Sequence, residues 1–317
     1  MLSKTPVIIE KPTAEDKAVI RLLVKQREDI QSMRKAMDNR IGRKADGSQQ
    51  NIDERSFRAE DIELLIGIAD SMREQEHIIE QEILKRVQRF PIYNEYLVHQ
   101  SGIGPGIAGI IIAEYDIHKA TTVSKMWQFT GLNPSLVRGK KRVENDDGTF
   151  SLIDTDILVR GDRLTSGFVS PFNQHLRTMM IGRLGMQFLK SGLRKQCSGC
   201  GAILGAGGQK IHECNASFVQ VATNKYAQFY TDMKNRLEHS EKLTSERIKG
   251  GKEKDIMWKD ATPKHRHDAA IRYAVKMFLK DLYVAWRIIE GLPVREPYQE
   301  EYLGKEHEVV PCIRRKP

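Results

Sequence analysis

The chain has no apolar run approaching the ~20 residues that a membrane-spanning helix needs, so no span is expected. Its opening, "MLSKTPVIIEKPTAEDK", has no apolar core ahead of a small-residue cleavage site, so no signal peptide is expected. A cytoplasmic location follows as the expectation. Only four cysteines occur in 317 residues, too few for a disulfide framework. Acidic residues are the scarcer sign: 42 Asp and Glu stand against 51 Lys and Arg, a formal charge of +9 with a pI of about 9.3. That balance favours a polyanionic partner, nucleic acid ahead of an anionic membrane surface. Hydrophobic residues at 40% and charged residues at 29% are ordinary for a soluble protein, with length enough for one large domain or two modest ones.

What is present is mostly helical pattern. Residues 14 to 37 carry Ile20, Leu22, Leu23, Ile30, Met33 and Met37 among charges, as in an amphipathic helix. After the polar break "NRIGRKADGSQQN", a stronger helix is expected from about 58 to 89. There Leu65, Ala69, Met72, Ile79, Ile83 and Val87 recur at three-four spacing, and Pro91 stops the run. This element is either one helix of a bundle or a coiled-coil arm for a homodimer, with Gln75 and Glu76 interrupting the seam. Further helices are expected around "SKMWQFTGL", over 172 to 190, over 216 to 242 and over 263 to 290. The last has Thr262 as N-cap, Pro263 at its first position, and Gly291 and Pro293 past its end. Trp286, Tyr273, Met277 and Phe278 on it sit at core spacing. The expected fold is therefore mostly α: a helical bundle with a small irregular or β insertion. Its divisions are 1–57, an N-terminal arm and helix; 58–95, the long helix; 96–292, the main domain; and 293–317, a tail. Within the main domain lie a loop or hairpin arm at 135–171 and a Cys/His insertion at 193–215.

The densest glycine run is "HQSGIGPGIAGIIIAEY", residues 99 to 115. Glycine serves turns, but it also lets backbone approach a phosphate closely. Gly102-Ile103-Gly104 followed by Pro105 and Gly106 has the form of a helix-hairpin-helix, whose amides and helix N-terminus face one phosphate. Ile103 would pin the hairpin to the core, and Ala108 and Gly109 would allow close helix packing. Such a contact reads no base edges, so duplex would be bound without sequence preference. A turn that serves packing alone is the other reading.

"SGIGPGIAGIIIAEYDIHKATTVSKMWQFTGLNP" resembles the opening of the C-terminal domain of insertion-sequence transposases of the 110/116/902 type. That domain has a glycine hairpin, an Ala-to-Glu helix, matched here by Ala108 to Glu114, and a block matched by Phe129, Gly131, Leu132 and Pro134. "RGDRLTSG", "LRTMMIGRL", "YAQFYTDMKNRL" and "RYAVKMFLKDLYVAW" are similar to its later segments, and the likeness covers roughly residues 58 to 290. It implies duplex DNA as partner, a serine nucleophile, a guide RNA among the candidate partners, and magnesium held by a separate acidic nuclease-like domain. The first 95 residues carry no such acidic domain, so magnesium would have to come with a partner that supplies one. Aligned on Arg160-Gly161, the nucleophile's place holds Thr155; Ser151 and Ser135 are the candidate serines, in alternative frames. Arg138, Lys140, Lys141, Arg142, Arg160 and Arg163 could hold the phosphate. A hydroxyl nucleophile needs a base, and the nearest histidine in sequence, His175, suits the surface or core.

Cys197, Cys200, His212 and Cys214 form a C-x2-C followed by H-x-C, a candidate structural zinc site with free thiols as the alternative. Asp154, Asp156 and Asp162 could be magnesium ligands, but carboxylates in a solvated loop are the commoner case. His265 and His267, two apart on a helix, diverge. Three functions remain open: a transposase or recombinase acting alone or with an acidic partner, a non-enzymatic nucleic-acid-binding accessory protein, and a helical scaffold.

Overall fold

The computed structural model describes residues 12–43, 58–204, 214, 216–247 and 253–295. They fall into two compact units, one within Met1–Val98 with Gly104–Tyr115, the other within His99–Ile103 with Asp116–Pro317. Among the described residues the fold is mostly helical, and its strands form small antiparallel pairs. No described helix is long and apolar enough to cross a membrane.

The first unit is built on helices α1 (Ala14–Arg40), α2 (Ala59–Val87), α3 (Pro91–Glu95) and α4 (Pro105–Glu114). Thr13 starts α1 through a reciprocal capping box with Asp16, which satisfies two amides the helix cannot serve itself. The apolar stripe of α2 buries Ala69, Ile79, Ile83 and Val87, and α1 packs along it within the same chain. Glu76, which looked like an interruption in that stripe, is buried and takes Gln31, Arg27 and Arg34 from α1. Burial of a carboxylate is tolerable only with such partners. Helix α4 is apolar on every side and buries Ala108 through Ala113. A Cβ at Gly109 would lie 3.0 Å from Val24 and 3.1 Å from Ile83, so the missing side chain lets α4 approach both long helices. Close packing at Ala108 and Gly109 is thus as expected.

The second unit is organised on α9 (Pro263–Ile289), whose Thr262 side chain caps its start and whose chain turns away at Gly291, φ +67°. Around it lie α5 (Val123–Phe129), α6 (Gln174–Thr178), a π-helical stretch Met179–Gly185, α7 (Met186–Gly192) and α8 (Lys225–Glu238). Phe188, Tyr226 and Phe278 form an aromatic cluster with ring centroids 4.5–5.4 Å apart. The buried Arg287 bonds the Ile117, Ala120 and Pro293 carbonyls. Trp286, Met277 and Phe278 are core as expected. Tyr273 is not: it is half-buried, edge-on to Phe229 and covered by the Arg236 guanidinium.

Three hairpins complete this unit: β1 (Leu136–Glu144) with β2 (Phe150–Arg160), β3 (Leu193–Cys197) with β4 (Phe218–Ala222), and β5 (Leu243–Arg247) with β6 (Glu253–Met257). They correct two sequence expectations. The helix expected over 216 to 242 spans only Lys225–Glu238, because Phe218, Val219 and Val221 pair with β3 and Asn224 caps the helix after them. The helix expected over 172 to 190 is interrupted by the π-helical stretch.

Candidate nucleic-acid interface and metal centre

The β1–β2 hairpin turns at Asn145–Thr149, where Gly148 adopts φ +76° and its N–H donates to the Asn145 carbonyl. Side chains alternate across a strand, so the register assigns each residue to a face. Arg138 stands opposite Leu158, Lys140 opposite Asp154, Arg142 opposite Leu152, and Glu144 opposite Phe150. Leu136 and Arg160 pair at the base of the same face. Between Arg138 and Lys140 the partner strand advances four residues against two, a bulge that twists the ribbon without exchanging its faces. Every residue named on this face is exposed.

The cations on it differ in what they touch. Arg142 lies over the Phe150 ring at 3.8 Å, and Lys140 pairs with Asp154 at 3.3 Å. Arg138 has no hydrogen-bond or ion-pair partner among the described residues. Arg160 holds Asp162 with two bonds, 2.9 and 3.0 Å, and that bonding raises its pKa. Arg163 holds Glu253 at 2.6 Å. Lys141, on the opposite face, lies 5.3 Å over Phe168, whose ring fills the space that a Cβ at Gly139 would need. The six predicted cations therefore divide: Arg138, Lys140, Lys141 and Arg142 on the arm, Arg160 and Arg163 at its base in ion pairs.

The candidate serines sit near opposite ends of the arm. Ser151 donates to the Asn145 side-chain oxygen at 2.9 Å, and Ser135 to that of Asn133 at 2.8 Å. An amide oxygen takes up no proton, so neither bond activates a nucleophile. Thr155 donates to the Gly139 carbonyl. Asp154, Asp156 and Asp162 form no ligand cluster among the described residues, Asp154 and Asp162 being held by Lys140 and Arg160.

The glycine run resolves residue by residue. Gly102 adopts φ +88° against the Gln187 carbonyl, and a Cβ there would be 3.0 Å from that oxygen. Ile103 is half-buried and closes the turn through its N–H to the Gln100 carbonyl. Gly106 lies under the Arg27 guanidinium, 3.1 Å from a built Cβ. Gly104 is different: it is exposed, its backbone is extended, and a Cβ would meet nothing within 4 Å. It precedes Pro105 at the start of α4, where no side chain caps the helix.

The cysteine cluster is built by β3 and β4. Cys197 ends β3, and its N–H and C=O bond the Ala202 carbonyl and the Gly201 N–H, a tight turn that brings Cys200 back. Cys214 comes from ahead of β4, with its Sγ 3.5 Å from that of Cys197. All three Sγ atoms lie within 4.8 Å of one another. Backbone N–H groups of Cys200 and Gly199 hold the Cys197 thiol down to about 6, which favours the thiolate that a metal would take. Three thiols so placed could hold a metal ion. Tetrahedral zinc with Zn–S near 2.3 Å would set the sulfurs roughly 3.8 Å apart, close to the 3.5 Å between Cys197 and Cys214. His212, the fourth expected ligand, lies outside the described residues.

Sequence reasoning missed the aromatic partners Phe150 and Phe168. The alternation of "GTFSLID" against "KKRVEND" carries the Phe150 signal once the turn is placed. No family model, curated protein or solved structure matches the chain.

Proposed function

We propose that the chain is a nucleic-acid-binding protein that grips the phosphate backbone of duplex DNA with the β1–β2 arm. The observation that carries this is the exposed face on which Arg138, Lys140 and Arg142 stand in a row. A two-stranded ribbon fits a DNA groove, and cations along it displace counterions. Gly104 provides a second contact: open backbone ahead of an uncapped helix start accepts a phosphate oxygen, as in a helix-hairpin-helix. The cysteine cluster serves as a structural zinc site that fixes the β3–β4 hairpin, with His212 as fourth ligand.

The transposase resemblance supports the same reading and adds recombination. That addition rests on the resemblance alone, because among the described residues no base is bonded to Ser135 or Ser151. A recombinase would need an acidic partner bringing magnesium, and a guide RNA belongs to the same extended reading. The accessory role, binding without cutting, needs nothing beyond the arm and the hairpin.

The test is duplex binding by fluorescence anisotropy between about 50 and 200 mM salt, with oligonucleotides of unrelated sequence. The wild type should bind all of them with a steep salt dependence. Changing Arg138, Lys140 and Arg142 together to Gln should reduce the slope of log K against log salt by about 2 to 3. An unchanged slope would sink the arm. Gly104→Asp should weaken binding without loss of fold, and retained affinity would remove the hairpin from the interface.

A further inference from the structure

The face of the β1–β2 arm that carries the cations carries leucines as well. Its cross-strand pairs, from the base outward, are Leu136 with Arg160, Arg138 with Leu158, Lys140 with Asp154, Arg142 with Leu152, and Glu144 with Phe150. Three of the five pairs set one arginine beside one leucine. Leu136, Leu152 and Leu158 are 61, 59 and 57% exposed, and Phe150 is 53% exposed beneath the Arg142 guanidinium. A single leucine in water needs no explanation, but several on one face mark a contact surface.

The pattern narrows what that surface meets. A partner that met only the leucines would take Arg138 and Arg142 out of water with no counter-charge, at a high cost. A partner that met only the cations would leave the leucines in water. The ends of the face set its limits. At the base Arg160 is held by Asp162, and at the tip Glu144, Asp146 and Asp147 are exposed acids that phosphate repels. The stretch open to a polyanion therefore runs from Arg138 to Arg142, roughly 13 Å of strand or about four base steps of duplex. The opposite face offers no such mixture, since its cation, Lys141, lies over Phe168.

The minor groove of DNA supplies both kinds of contact. Its walls stand about 6 Å apart, against about 12 Å in the major groove, so side chains from two strands ~4.8 Å apart reach both walls together. Phosphates line its rims, and an apolar side chain can wedge between base steps from its floor. The bulge between Arg138 and Lys140 twists the ribbon between the two outer Arg–Leu pairs, as following a helical groove requires.

We propose that the arm bends the duplex it holds: Leu152 and Leu158 wedge between base steps from the minor groove, while Arg138 and Arg142 hold the phosphate rims. The inference rests on the arm as the duplex-binding element and adds to it an architectural activity. Unstacking a step costs least at flexible pyrimidine–purine steps, or where one strand is already interrupted. The chain thereby favours deformable over stiff DNA without reading base edges.

Energy transfer across end-labelled duplexes of about 30 base pairs, with the full chain, tests it. Wild type should bring the ends together by a bend of about 20–90°. It should also bind a duplex with a central one-nucleotide gap at least about tenfold more tightly than the continuous duplex. Changing Leu152 and Leu158 together to Ala should abolish the bend and the preference for the gap, with the salt slope unchanged because no charge is lost. Both leucines are exposed, so this variant should melt as wild type does. Changing both to Met, which keeps apolar wedges, should retain most of the bend. Steep salt-dependent binding without a bend, or a double Ala variant that bends DNA as wild type does, overturns the wedge and leaves the arm's grip standing. A double Ala change that turns a dimer into a monomer in sedimentation, with the DNA geometry as before, assigns the leucines to a second copy of the chain and also overturns it. A wild type that binds no duplex overturns both readings.

Discussion

The α1–α2 seam and the β1–β2 arm are both crowded with charge, and they use it in opposite ways. In the seam, Glu76 is held by Arg27 and Arg34 at 3.2 and 3.0 Å, and Asp38 by Arg34 and Arg73 at 2.7 and 3.4 Å. Both carboxylates are buried, and the cations are spent on their neighbours. On the arm, Lys140 has Asp154, Arg142 has an aromatic ring, and Arg138 has neither. Net charge alone would not separate these regions. What separates them is burial and pairing: the seam's cations hold buried carboxylates, while the arm's Lys140–Asp154 pair is exposed and Arg138 has no partner among the described residues.

The largest test of that contrast is in the seam. Glu76→Ala removes the buried carboxylate that Arg27 and Arg34 share and leaves them Glu80 and Asp38 alone, and urea unfolding should show a loss of about 2–3 kcal/mol. A loss under about 1 kcal/mol would mean the network is solvated and no different in kind from the arm. Gly109→Ala should cost about 1–3 kcal/mol by overpacking against Val24 and Ile83, read by the same unfolding curves. The triple arm change to Gln should shift stability by less than about 0.5 kcal/mol, since those cations are exposed, while duplex affinity falls. A large stability loss there would make the arm's charges structural.

The smallest effect is a pH dependence. His265 donates to or accepts from Thr244 at 3.1 Å and stacks on Trp258, and burial holds its imidazole below the ordinary 6.5. The unfolded chain therefore takes up a proton that the folded chain does not. Stability should fall as pH drops below about 6.5, and His265→Gln should flatten that dependence in denaturant titrations from about pH 7 to 5.

Much of the helical frame was legible. Thr262, Pro263 and Gly291 punctuate α9 because caps and breakers act locally, and α1 and α2 follow their apolar spacing. The short strands were not. Phe218–Ala222 and Leu243–Arg247 are five residues each, too short for a period to show, and they exist only through partners elsewhere in the chain. The same limit governed the sites. Cys197 and Cys200 declared themselves by spacing, whereas Phe150 became a partner of Arg142 only once the β1–β2 register was set. Glu76 misled in the other direction, since a buried ion pair interrupts an apolar stripe just as a solvent-facing residue would.

The π-helical stretch at Met179–Gly185 acts as a rotational index between two segments of one helical rod. It houses surplus backbone, so the side chains before it point in directions that a regular helix would not give them. Deleting one residue there would let the ladder regularise with Gln174–Thr178 near its present bearing on α7, whereas inserting one more would turn that segment about 100°. With that insertion Arg177 would swing off the Asp162 carbonyl and the Phe172 ring while the helix itself stayed intact. The chain thus sets the aim of a single guanidinium in the length of its backbone as well as in the Phe172 ring beneath it.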